Sequence, residues 1–147
     1  MSHSLTKIWI HGIWGTKDRI SLIKSDYEKQ LHDHIKNKLE NELGCKVRII
    51  NGTEDHIHVL FLLNPNYSIK DIFQRMKGDS SHWINEKNFM KNKFLWQTGY
   101  GGFSVSESMV KEVERYIKNQ KEHHKKVTFQ QEYELFMQKY GLEIINR

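Results

Sequence analysis

Two histidines one residue apart, His56 and His58, stand at the head of the apolar run D-H-I-H-V-L-F-L-L. Imidazole is a common ligand of divalent cations, and two rings on one face can hold a single ion. Whether they share a face depends on the backbone beneath them. In a strand, residues two apart project to the same side with a rise of roughly 6.6 Å, a gap that two imidazoles can span to one ion. In a helix the same spacing is a rotation of roughly 200°, and the rings diverge. The chain holds its own comparison, a second His-x-His at His32 and His34. That second pair lies in a stretch of helical periodicity and is expected to be solvated decoration. His56 and His58 lie in a stretch of strand character and are the candidate ligands. The string alone would equally suit two polar residues on the less buried face of a sheet.

A second constellation lies in V-E-R-Y-I-K-N-Q-K-E-H-H-K-K, from Val113 to Lys126. Tyr116 and Gln120 are four apart and so share one helical face, with His123, His124, Lys125 and Lys126 one to two turns further on. A phenol with an ordinary pKa near ~10 is a poor nucleophile at neutral pH. It becomes useful when a divalent cation polarises the electrophile and offsets developing charge. Gln120 would add a neutral oxygen to the two imidazoles, giving a His-His-Gln set open to water and phosphate. Nitrogen and oxygen donors without sulfur suit Mg²⁺ or Mn²⁺, with Zn²⁺ accessible in vitro. The same spacing also fits a Tyr/Gln pair solvating an ordinary helix.

Composition narrows the setting. The chain has 147 residues and a formal charge of +5, which favours an anionic partner. Its one cysteine, Cys45, excludes an internal disulfide and a thiolate zinc site, and reads as buried filler. No apolar run approaches the ~18 residues that would span a bilayer. The start M-S-H-S-L-T-K has no signal-peptide pattern, so the expected location is the cytoplasm. One proline, with no linker, repeat or low-complexity tract, points to a single domain over 1–147.

The elements that must position these residues follow from periodicity. The stretch from Leu5 to Thr16 is apolar in both alternation phases and predicts a central strand buried on two sides. Ile23, Tyr27, Leu31, Ile35, Leu39 and Leu43 recur every four residues before Gly44, an amphipathic helix with its C-cap. K-V-R-I-I, Asn51-Gly52 and D-H-I-H-V-L-F-L-L predict a β-hairpin. Ser68 with Asp71 opens a second helix. F-L-W-Q around Trp96 predicts a fourth strand, and the glycine-rich G-Y-G-G-F-S-V-S after it a turn or hinge. A long helix over about 106–126 and a last one over about 128–140, capped by Thr128 and Gln131, complete the chain. The order β-α-β-β-α-β plus two helices predicts an α+β, ferredoxin-like split β-α-β with an antiparallel sheet.

D-H-I-H-V-L-F together with Y-I-K-N-Q resembles the single-tyrosine HUH transposases, the small transposases of insertion sequences. The likeness continues through H-G-I-W-G-T-K-D-R, S-I-K-D-I-F-Q-R-M-K-G-D-S-S-H-W-I-N and F-L-W-Q-T-G-Y-G-G-F-S-V-S, in the family's order. The resemblance implies a homodimer whose sheets join, with active sites that combine the histidines of one subunit and the tyrosine of the other. It implies single-stranded DNA with hairpins as substrate, and location at the nucleoid. It also implies a 5′-phosphotyrosine at Tyr116, with His56, His58 and Gln120 on the ion. Lys17, Arg19, Arg75, Lys77, Lys125 and Lys126 are candidates for phosphate contacts, and Trp96, Tyr100 and Phe103 for base stacking. Two rival readings keep the fold: a non-catalytic single-strand hairpin binder and a domesticated transposase. A histidine-triad hydrolase fits poorly, because its third histidine position is Leu60.

Overall fold

A computed structural model of the chain describes residues 4–142. The domain expected over 1–147 therefore reaches outside the described residues at both ends. Four strands, β1 (Trp9–Gly15), β2 (Val47–Gly52), β3 (His56–Leu62) and β4 (Gly101–Val105), form one sheet in the order β2-β3-β1-β4. Every pairing is antiparallel. Helix α1 (Ser25–Asn37) joins β1 to β2, and α2 (Ile69–Glu86) joins β3 to β4. This is the α+β, ferredoxin-like architecture that the sequence predicts. After β4 come α3 (Val110–Lys118), α4 (Gln120–His123) and α5 (Phe129–Lys139).

Strand alternation divides the sheet into two working faces. Ile57, Val59 and Phe61 of β3 join Tyr27, Leu31 and Ile35 of α1 and Ile72, Phe73 and Met76 of α2 in the main core. At roughly 1.5–3 kcal/mol for each large side chain buried, this stripe stabilises helices whose isolated lengths are marginal in water. The opposite face carries Trp9, Leu60 and Val105 against Val110 and Ile117 of α3. Beside them, Ile13 and Phe103 lie under Phe129 of α5. The parity that sends Ile57 and Val59 toward α1 and α2 sends His56 and His58 to this second face, where α3, α4 and α5 close over them.

The fourth strand falls elsewhere than expected. The F-L-W-Q segment makes only a single bridge, Thr16 to Trp96. Trp96 packs edge-on against Trp14 and Phe94, and its Nε1 donates to Ser80 Oγ at 2.9 Å, so beyond the two backbone bonds of that bridge the segment is held by side chains rather than by a ladder. The glycine-rich stretch supplies β4 itself, with Gly101, Phe103 and Val105 turned inward. Gly101–Val105 is an edge strand, and Gly99 (φ 89°) and Tyr100 precede it outside the sheet.

The long helix over 106–126 is also divided. A 3₁₀ turn at Glu107–Met109 precedes α3, and Asn119 (φ −92°, ψ 16°) separates α3 from α4. The cause is local. Asn51 Nδ2 donates to the carbonyls of Ile117 and Lys118 at 3.0 and 3.1 Å, satisfying acceptors that a continuous helix would use internally. Asn51 and Gly52 thus belong to β2, and Thr53–Asp55 make the hairpin link.

His32 and His34 diverge as the helical spacing requires, but neither is mere decoration. His32 is buried, and His34 bonds Asp79 at 2.6 Å while stacking on Trp83. Cys45 is buried, and burial pushes its thiol up, away from nucleophilic use. Among the described residues, no helix is long and apolar enough to cross a membrane.

Candidate functional site: a cluster of imidazoles, amide and carboxylate

His56 and His58 are fully buried on β3. His56 Nδ1 lies 2.8 Å from Asp55 Oδ1, and Thr53 Oγ1 donates to the same carboxylate oxygen at 2.9 Å. Burial works to raise the Asp55 pKa, yet the hydrogen bonds from His56 and Thr53 prevail and hold it below the usual carboxylate range. An ionised carboxylate only accepts, so the His56 proton sits on Nδ1 and the lone pair on Nε2. That Nε2 faces Gln120 Oε1 at 2.9 Å. The amide is oriented by its other end, because Gln120 Nε2 donates to Glu132 Oε2 at 3.2 Å. Two acceptors therefore face each other in a buried space, an arrangement that a cation or a second proton on His56 resolves.

His58 Nε2 lies 2.9 Å from Glu132 Oε1, and the same oxygen is 3.0 Å from His124 Nε2 and 3.6 Å from His56 Nε2. One donor atom from each of His56, His58, His124 and Glu132 falls within 4.8 Å of all the others. Neighbouring ligands of an octahedral ion with bonds of roughly 2.1 Å are about 3 Å apart. The shortest of the observed spacings, 2.9 and 3.0 Å, are of that order, and buried nitrogen and oxygen donors of this kind suit a divalent ion.

Tyr116 reaches the same place. Its half-buried hydroxyl donates to Glu132 Oε2, with His123 Nε2 at 3.4 Å from it. Burial and the adjacent carboxylate push the phenol well above its ordinary value. Glu132 shows the converse. Burial would raise it, but hydrogen bonds from His124, His58 and Tyr116 hold it far below the carboxylate range. His58 is lowered to about 4, chiefly by burial and against the pull of Glu132. At neutral pH the cluster thus pairs neutral His58 and a neutral phenol with one full negative charge.

The family model described as an IS200-like transposase matches residues 4–120. The chain belongs to the IS200-like transposase family. Within that match lie His56, His58, Tyr116 and Gln120, whereas His124, Glu132 and the whole of α5 lie beyond it. This transposase is 26% identical over 117 residues to the ISDra2 transposase TnpA of Deinococcus radiodurans, covering 75% of this chain and 81% of that one. In fold it is similar to a crystal structure from D. radiodurans R1 assigned to the transposases, with TM-score 0.65, 24% identity, and 82% and 95% of the two chains covered. It is likewise similar to a REP-associated tyrosine transposase bound to a REP hairpin, with TM-score 0.61, 16% identity, and 86% and 76% covered.

The remaining sequence candidates are dispersed. Arg19 and Lys125, with Lys121, line a cavity of about 760 Å³ beside the site that Glu28, Glu54 and Asp55 also line, and Lys121 Nζ lies 3.0 Å from Glu28 Oε1. Lys17 and Lys126 are exposed. Arg75 and Lys77 ride on α2, across the sheet from the histidines. Arg75 lies over the Tyr67 ring, and Lys77 Nζ donates to the carbonyls of Gln97 and Gly99 at 2.8 and 2.5 Å. Trp96, Tyr100 and Phe103 are engaged in internal packing, Tyr100 stacked on Phe73 and Phe103 on Phe136.

Sequence reasoning passed over Glu132, His124 and His11. Glu132 carried a legible signal: it stands between Phe129 and Phe136 on the apolar stripe of α5, where an unpaired charge does not belong. His11 interrupts a strand that is otherwise apolar on both faces. His124 had only its nearness to Tyr116 and Gln120.

Proposed function

We propose that this transposase cleaves and rejoins single-stranded DNA at hairpin-bearing ends through a covalent phosphotyrosine at Tyr116. The observation that supports the reading most is the meeting of His56 Nε2, His58 Nε2 and Gln120 Oε1 around the carboxylate that also binds the Tyr116 hydroxyl. His56, His58 and Gln120 would hold Mg²⁺ or Mn²⁺, with Glu132 and His124 as further donors. When bound, such an ion neutralises charge developing on the scissile phosphate. Tyr116 attacks phosphorus, its oxygen forms the new ester bond, and the P–O3′ bond breaks to leave a free 3′-hydroxyl. Glu132 is the group nearest to receive the phenolic proton. A second transesterification by a 3′-hydroxyl reverses the link, which explains why no nucleotide cofactor is required.

The test is a labelled single-stranded hairpin incubated with protein and Mn²⁺. A covalent protein–DNA band is expected, absent in Tyr116→Phe and in His58→Ala, with hairpin binding retained in both. A mobility shift without any covalent band in the wild type would instead identify a non-catalytic hairpin binder. Undiminished cleavage by His58→Ala would remove that histidine from the ion.

A further inference from the structure

His56 and His58 are anchored through their Nδ1 atoms in different ways. His56 leans on the Asp55 carboxylate, the usual partner of a metal-binding imidazole. Among the described residues, no carboxylate or carbonyl stands at His58 Nδ1. Its partner is His11 Nε2 at 2.7 Å, from the neighbouring strand β1, with His11 and His58 1% and 0% exposed. Antiparallel pairing sets Ile13 opposite His58 and His11 opposite Leu60, so His11 reaches His58 diagonally on the site's own face. The edge of Phe136 closes over the His11 ring, with centroids 5.2 Å apart.

Two imidazole nitrogens 2.7 Å apart share a single proton. If His11 donates it, His58 keeps its own proton on Nε2, where it hydrogen-bonds Glu132 Oε1 at 2.9 Å, and has no lone pair for an ion. If His58 donates, Nε2 is free to ligate. We propose that His11 is a positioning residue: when an ion replaces the Nε2 proton that His58 shares with Glu132, His11 accepts the hydrogen bond from His58 Nδ1 and so supports the tautomer and ring orientation that bind the ion. The inference rests on the ion site proposed above. It assigns the choice of His58 tautomer to a residue on a strand that contributes no ligand. His11 also lines a cavity of about 330 Å³ with Tyr116, Lys139 and Glu132.

The experiment is a Mn²⁺ titration of the whole protein, read by the electron paramagnetic resonance of free aquo-Mn²⁺. It compares wild type, His11→Phe, His11→Gln and His58→Ala, with hairpin binding in chelator as a readout that needs no ion. His11→Phe fills the space but cannot accept, and is expected to bind Mn²⁺ about tenfold or more weakly. His11→Gln places an amide oxygen near the lost nitrogen and is expected to stay within about threefold of wild type, a rescue on the scale of one weakened hydrogen bond. If the phenyl ring displaces Phe136 and the fold is lost, His11→Ala supplies the same comparison. Wild-type affinity in the folded His11→Phe or His11→Ala protein overturns the proposal. So does a loss in His11→Gln equal to that in His11→Phe, which would reduce His11 to a space-filler. Wild-type affinity in His58→Ala would remove the ion site itself, and the role of His11 with it.

Discussion

At the scale of single residues, Glu132 gathers the site. Its two oxygens meet the Nε2 atoms of His58 and His124, the Gln120 amide and the Tyr116 hydroxyl. A buried carboxylate carries a desolvation cost of several kcal/mol unless it is paired, so these contacts maintain it. Glu132→Gln keeps the shape and removes the charge. Mn²⁺ affinity is expected to fall at least about tenfold, a drop comparable to or larger than that for an outer partner. Titration by electron paramagnetic resonance checks this, and hairpin binding in chelator should be unaltered. Unchanged Mn²⁺ affinity would leave Glu132 as a partner of the histidines alone.

At the scale of elements, the hairpin governs whether the imidazoles point into the site. A Cβ at Gly52 would collide with the His56 backbone carbonyl oxygen and crowd the Ile57 Cα, atoms that cannot yield as a side-chain tip can. Gly52→Ala is therefore expected to destabilise the fold by about 1–3 kcal/mol, an overpacking cost. A lowered urea midpoint with an unchanged denaturant slope would show it. The loss should extend to Mn²⁺ binding, since the displaced carbonyl belongs to His56, a proposed ligand. Asn51 beside it ends α3, and the break at Asn119 turns Gln120 inward beneath α5. One hairpin thus orients donors on two separate segments.

At the scale of the whole molecule, Tyr116 meets the histidines of its own chain. The resemblance implies a dimer with sites that combine two subunits, and β2 and β4 are the two edges of the sheet among the described residues. Light scattering is expected to give twice the chain mass. Mixing Tyr116→Phe with His58→Ala protein is expected to yield no covalent adduct, because Tyr116 and His58 meet on Glu132 of the same chain. Adduct in the mixture would place the tyrosine in the neighbour's site.

Much of this was legible without coordinates. Period-2 and period-4 patterns are local, so β1, the α1 stripe, β3 and the capped starts of α2 and α5 could be read directly, and strand parity alone put His56 and His58 on one face. The choice between F-L-W-Q and G-G-F-S-V for the fourth strand could not be read that way. It turned on whether Trp96 found aromatic partners on distant segments and whether small residues could lie flat beside Gly12. The roles of Glu132, His124 and His11 were hidden for the same reason. Each is decided by proximity between residues up to 74 positions apart, as in the His58–Glu132 contact. The amino-acid order determined which groups each face would carry; only the packing of α5 across the sheet decided which of them meet, because a buried charge takes its meaning from the partners that surround it.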